Sequence, residues 1–275
     1  MRTMKRAFST LTCLGAGIDE IIEYAKKADI DGVEIRLDKD NTICGLGIED
    51  ADVIRGKFAA AGCVITDLAT AVSLAGRNDK VLETSKKCID LAAAVEAKAI
   101  RIFVGGHMKT FSDVPNQDIP GIAESVSEMC AYAKIKGVEV WAETHSALSK
   151  AEDICKLCDM VDADNLKVLW DVLHSIEFGE SPEESIRIMG KRLAHIHLKD
   201  AVPPEDKNLI QYRHTALGKG ALPLAKVLSL LDDAGYDGYL SLEWELPWHP
   251  ELAECYPDTD VTLAAFNHWV DEASK

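Results

Sequence analysis

A single (β/α)8 barrel is the fold the sequence predicts, on three observations. Short β-branched runs alternate with amphipathic helical runs from end to end of the 275 residues. A helix end, often a glycine, and a tight turn into a strand recur in AAAGCVITD, AKIKGVEVWAE, DDAGYDGYLSLE and ADIDGVEIR. Their spacing of roughly 30 residues is that of a βα module. Polar residues then gather at the C-terminal ends of at least four different strands, which is how barrels build sites. An open doubly wound sheet would instead favour a glycine-rich turn after an early strand. The nearest candidate, Cys44-Gly45-Leu46-Gly47, leads into no G-x-x-G helix start.

The elements follow in order. Strand candidates begin near Lys5, Gly32, Cys63, Ala99, Val138, Leu166, Leu193 and Tyr239. Between them IDEIIEYAKKA, EDADVIRGKFAAA, DKVLETSKKCIDLAAAV, IAESVSEMCAYAKI, AEDICKLCDMV and LPLAKVLSLLDDA repeat apolar residues at i, i+3 and i+4, the period of a helix with one buried face. With no linker or low-complexity segment, residues 1–275 read as one domain, and PWHPELAECYPD within 246–258 is a candidate lid or subunit contact that would fit a homo-oligomer.

Composition limits the partners. A hydrophobic fraction of 47% supplies a large core, and a net charge of −16 repels phosphate backbones and anionic membranes. Neither nucleic acid nor a membrane is an expected partner. The N-terminal run is too short and polar for a signal peptide, and no segment approaches the ~20 apolar residues of a membrane span, so a cytoplasmic protein is expected. The eight cysteines, the C-x-x-C of Cys155 and Cys158 included, read as reduced structural residues, several of them at apolar positions of helices.

The stretch LAHIHLKD, Leu193 to Asp200, has a strand ending in His197, Lys199 and Asp200. Three other strand ends carry residues of metal-ligand type. WAETHS gives Glu143 and His145, LWDVLHS gives Asp171 and His174, and LSLEWE gives Glu243 and Glu245. Residues two apart on a strand share a face, so His195 and His197 lie at different depths, with His197 nearer the site. Glu143, Asp171 and Glu243 beside His197 would repel one another unless a cation joined them. Three oxygens and one nitrogen suit one divalent Mn²⁺, Mg²⁺ or Co²⁺ ion, whereas Zn²⁺ more often takes further His or Cys. His107 after Gly105-Gly106, Glu34 ending GVEIR, and Arg213 or His214 before the turn LGKG are substrate-side candidates; Glu34 could equally pair with Arg36 or Arg101. Trp141 and Trp170 read as core, and Trp244 as core or a sugar platform.

The set Glu143, Asp171-x-x-His174, His197-x-Lys199-Asp200, Leu217-Gly218-x-Gly220 and Glu243 resembles the sugar-phosphate isomerase/epimerase group of xylose-isomerase-like TIM barrels. The resemblance runs from about Lys5 to Glu245. It implies that Glu143, Asp171, His197 and Glu243 bind one divalent metal, that Glu143 and Glu243 form the acid/base pair, and that His174 and Lys199 contact a ketose or ketose phosphate. Proton transfer through a metal-stabilised cis-enediolate would then isomerise or epimerise the sugar, and loss of a β-hydroxyl would make the enzyme a dehydratase. RHTALGKG is also similar to a motif of endonuclease IV-type nucleases, but Tyr212 stands in place of a metal-binding Asp and the charge disfavours DNA. An inactive sugar-binding barrel would be expected to lose Glu143 or Glu243, and both remain.

Overall fold

The structure, a computed structural model, describes residues 4–108, 110–113, 115–210 and 212–275. Eight parallel strands close a barrel in the order β1-β10-β7-β6-β5-β4-β3-β2. They are β1 Lys5–Ser9, β2 Gly32–Arg36, β3 Val64–Leu74, β4 Ala99–Val104, β5 Glu139–Glu143, β6 Leu166–Asp171, β7 Leu193–Leu198 and β10 Tyr239–Leu242. Each begins within one residue of its expected start. The intervening pair β8 Asp200–Val202 and β9 Arg213–Thr215 is an antiparallel ribbon outside the barrel. Closure leaves the barrel without an exposed sheet edge.

The helices are α1 Ile18–Lys27, α2 Ala51–Ala61, α3 Asp79–Ala94, α4 Ile119–Lys136, α5 Ala151–Val161, α6 Val172–Glu177, α7 Pro182–Met189, α8 Leu224–Asp233 and α9 Thr259–Ala273. Local chemistry sets their ends. Asn78 Oδ1 accepts the backbone N–H groups of Lys80 and Val81 at the start of α3, and Gly62 takes φ 67° after α2. Each buries one face, as α1 does with Ile18, Ile21, Ile22 and Ala25. Cys155 and Cys158 lie on the packed face of α5, within the hydrophobic core. Among the described residues, no helix is long and apolar enough to cross a membrane.

Register sorts the barrel interior into levels. The floor is apolar: Ala99, Trp141 and Leu169 form their own cluster, and the His195 ring stacks on Trp141 at 5.0 Å. Above it the strands bring ionisable residues inward. Glu34 of β2 is in register with Asp67 of β3, and Asp171 of β6 with His197 of β7. Such a row is costly to bury unless its charges pair or hold a ligand, and it marks the mouth as the functional end.

The ribbon explains the LGKG turn. Asp200 Oδ2 accepts the N–H groups of Gly218 and Gly220 at 2.8 and 2.9 Å, and Oδ1 accepts that of Leu222 at 3.3 Å. Gly218 has φ +75°, and a Cβ on Gly220 would collide with the Asp200 carboxylate. Asp200 is therefore a loop anchor.

Candidate active site

The four strand-end residues converge. One ligand atom from each of Glu143, Asp171, His197 and Glu243 lies within 4.8 Å of the others, and all four residues are buried. His197 Nδ1 is 3.1 Å from Glu243 Oε2, 3.7 Å from Glu143 Oε1 and 3.9 Å from Asp171 Oδ2. The local chain aims each group. Asp171 caps α6, its Oδ1 accepting the N–H groups of Leu173 and His174, which leaves Oδ2 turned to the cluster. Thr144 Oγ1 clamps the Asp171 backbone by accepting its N–H at 2.9 Å.

Beneath the cluster, Glu34 Oε2 lies 2.5 Å from His197 Nε2. A carboxylate only accepts, so Nε2 carries the hydrogen and Nδ1 faces the three carboxylates. That is the carboxylate–histidine arrangement that orients metal-binding imidazoles. His195 lies one layer lower, fully buried, with both ring nitrogens unpartnered.

These residues fit a divalent cation on chemistry and on satisfaction. His197 Nδ1 is buried without a hydrogen bond, a state that costs about 1–3 kcal/mol, while Glu143 Oε2 and Asp171 Oδ2 are met by the cations Arg101 and Lys199 at 3.1 and 2.7 Å. Burial works to lower the His197 pKa, yet the charges of Glu243 and Glu34 raise it well above the usual imidazole range. Burial likewise works to raise Glu243, but the charges of His197 and Lys199 hold it well below the usual carboxylate range. The cluster thus strongly favours positive charge. Three oxygens and one nitrogen suit Mn²⁺, Mg²⁺ or Co²⁺.

The cluster opens into a cavity of about 350 Å3 whose walls include Glu143, Glu243, His107, His145, His174 and Trp248. Three expected substrate-side residues, His107, His145 and His174, are thus at the cavity; the other three are placed elsewhere. Glu34 belongs to the deeper row, paired with His197. Lys199 is 3% exposed and directs Nζ to Asp171 Oδ2, Glu243 Oε2 and Glu245 Oε2 at 2.7, 2.6 and 3.0 Å. Arg213 is exposed because alternation along β9 turns His214 inward instead. Trp141, Trp170 and Trp244 are all buried packing residues, Trp244 lying 5.5 Å from the Tyr256 ring, and the tryptophan that lines the cavity is Trp248, beside Phe103, Phe178 and Tyr212.

Two histidines of the cavity have opposed character. Burial lowers the His174 pKa, but the charge of Asp171 and the 3.0 Å contact with Glu177 raise it to about 9. Burial and the neighbouring His174 charge lower His145 to about 3. Their rings meet edge to face at 4.7 Å, so a protonated and a neutral imidazole stand side by side.

His214, the alternative to Arg213, lines the cavity; Arg36, Arg101, Phe103, Tyr212 and His249 line it too, without having been expected there. For Arg101 a signal existed: it interrupts the apolar run AIRIFV at the inward parity of Glu143. His249 comes from the segment after β10, whose path no periodicity encodes.

Known proteins agree with this architecture. An inosose dehydratase of Clostridium perfringens is 28% identical over 137 residues, 45% of this chain and 46% of that protein. The chain thus spans about half the length of the first curated relatives it matches. The solved structure of IOLI protein with a binding zinc atom superposes with TM-score 0.80 at 18% identity, covering 98% of both chains. D-allulose 3-epimerase from a Methylomonas species in complex with D-allulose superposes with TM-score 0.76 at 14% identity, over 98% of this chain and 97% of that one. The family model described as xylose isomerase-like TIM barrel matches residues 22–264, and the chain belongs to that family.

Proposed function

We propose that the protein is a divalent-metal-dependent isomerase or epimerase of a ketose or ketose phosphate. The observation that carries this reading is the convergence of Glu143, Asp171, His197 and Glu243, with Glu34 fixing the imidazole from below. These four residues would hold the ion. When bound, a divalent ion supplies Lewis acidity toward a carbonyl and its neighbouring hydroxyl, acidifying the adjacent C–H.

The chain's own groups do the proton work. Glu143 and Glu243 reach the cluster from β5 and the end of β10, with β6 and β7 between them. Burial works to raise the Glu143 pKa, but the Arg101 charge, with Nη1 3.1 Å from Oε2, lowers it overall. Both carboxylates are therefore ionised bases at neutral pH. One removes the proton to give an enediolate; the other, having taken a proton from solvent, delivers that proton, and the first releases its own to solvent. Return to the same carbon from the other face epimerises, and return to the next carbon isomerises. Lys199 neutralises the surplus negative charge beside Glu243. Residues 246–258 act as a lid in this reading, supported by the place of Trp248 and His249 in the cavity wall.

A second reading, dehydration of a keto-inositol or similar β-hydroxy ketone, is favoured by one feature. The His174 imidazolium borders the cavity and can protonate a departing hydroxyl, a step that epimerisation does not need. The similarity to inosose dehydratase supports the same reading.

The test is deuterium uptake by NMR when Mn²⁺-loaded protein meets a panel of ketoses and ketose phosphates in D₂O. Exchange into the carbon next to the carbonyl is expected, falling at least about 100-fold in Glu143→Gln or Glu243→Gln. Exchange that persists in both variants would refute the acid/base pair. Loss of water from a substrate after exchange would favour the dehydratase reading.

A further inference from the structure

The cavity holds two arginines, of which the proton chemistry uses only the charge of Arg101 beside Glu143. Arg36 ends β2 and Arg101 lies in β4; register places both opposite Ala69 of β3, so the three form one row across neighbouring strands. Strands are about 4.8 Å apart, which sets the two arginine backbones about 10 Å from each other across a single methyl group. Both side chains line the cavity.

Their donors are largely uncommitted. Arg101 is 1% exposed, with its guanidinium 4.0 Å over the Phe103 ring. Its Nη1 approaches Glu143 at 3.1 Å, but neither Nε nor Nη1 makes a hydrogen bond. Arg36 lies 5.0 Å over the Trp248 ring, and among the described residues its guanidinium has no carboxylate within ion-pair distance. The other carboxylates of the cavity already face cations: Glu177 meets His174, and Glu243 and Glu245 meet Lys199. Two guanidiniums with free donors thus share one wall of a cavity in a chain of net charge −16.

A service to Glu143 would account for one Arg101 donor and stacking on Trp248 for the face of Arg36, leaving Arg101 Nε and the Arg36 donors unexplained. The planar guanidinium fork matches two-oxygen anions, and fork donors left without an acceptor at a cavity wall are a binding surface for one. We propose that Arg36 and Arg101 together bind an anionic group, carboxylate or phosphate, carried by the substrate. The site would thus select an acidic hydroxy-ketone over a neutral ketose. This rests on the ketose reading of the cavity.

Calorimetric titration separates the two ideas. Metal-free protein is titrated with inorganic phosphate, and Mn²⁺-loaded protein with D-fructose, D-fructuronate and D-fructose 6-phosphate, three ligands differing only at the terminal carbon. At least one acidic ketose is expected to bind tenfold or more tightly than D-fructose; which one identifies carboxylate or phosphate as the natural anion. Arg36→Gln should bring that ratio to within about twofold and weaken inorganic phosphate about tenfold, with Mn²⁺ affinity retained as evidence of an intact barrel. Equal affinity for all three ketoses, or a preference untouched in Arg36→Gln, would overturn the assignment. Failure of Mn²⁺ or of every ketose to bind would sink the ketose reading instead. Inorganic phosphate then decides the arginines alone: binding weakened in Arg36→Gln upholds them, and anything else removes them.

Discussion

His195 and His197 stand two residues apart on β7, share its inward face and are both fully buried, yet they belong to different chemistry. His195 lies flat against Trp141 in the apolar floor, without a partner for either nitrogen. His197 has Glu34 on one nitrogen and three carboxylates before the other. One pleat along a strand, about 6.6 Å, separates a packing residue from the centre of the site. Depth in the barrel, more than residue type or burial, therefore sets the role. The floor is held by contact and the mouth by charge.

Exchanging the two histidines in turn breaks that comparison most sharply. His197→Ala removes the only nitrogen of the four-ligand cluster and should weaken Mn²⁺ binding by at least about 100-fold, since loss of outer partners alone costs 10–100-fold. His195→Phe should leave Mn²⁺ affinity within about twofold. It replaces two unpartnered buried nitrogens by carbon, so the Tm should stay equal or rise. Mn²⁺ titration followed by electron paramagnetic resonance, with thermal melts, reads both. A His195→Phe protein that no longer binds metal would end the division by depth.

Glu34 joins the two levels, since its Oε2 lies 2.5 Å from His197 Nε2 and 3.5 Å from His195 Nε2. In Glu34→Gln the side-chain amide can still hydrogen-bond His197 but brings no charge. Mn²⁺ affinity should fall about 10- to 100-fold, between the effects of the two histidine exchanges. An unchanged affinity would mean that Glu34 serves the packed interior and does not orient the ligand.

The same gradient explains what could be read from the chain. The barrel was legible because alternation of strand and helix is written locally, and every barrel strand begins within one residue of its expected start. The cluster was legible because Glu143, Asp171, His197 and Glu243 all follow apolar runs directly. The positions of Glu34, Lys199 and Arg213 were not, for three physical reasons. Glu34 needed the register between strands to show that it lies under His197. Lys199 is drawn away from the cavity by three carboxylates from β6 and the segment after β10. Arg213 sits on a ribbon whose phase relative to the barrel no residue pattern fixes. Helices α6, α7 and α9 were also not named beforehand. α6 has only six residues, too few for a helical period to stand out.

The last and smallest effect concerns pH. His174 is held protonated at the mouth, its pKa raised from 6.5 to about 9 by the Asp171 charge and Glu177 against the opposing effect of burial. A raised pKa means that the folded protein binds the proton more tightly than the unfolded chain. The resulting stability is fully present below about pH 6.5 and is lost as the pH climbs through about 9. Melts of chelated protein should therefore show His174→Gln less stable than the parent by on the order of 2 kcal/mol at pH 6. The gap should close by pH 10. His195 behaves differently: burial lowers its pKa against the opposing influence of Glu34, 3.5 Å away, so it is neutral from pH 7 upward. The difference between His195→Phe and the parent should accordingly be flat from pH 7 to 10. A His174→Gln difference equally flat over that range would show the mouth to be held by packing as the floor is, and the contrast between the two levels would fall.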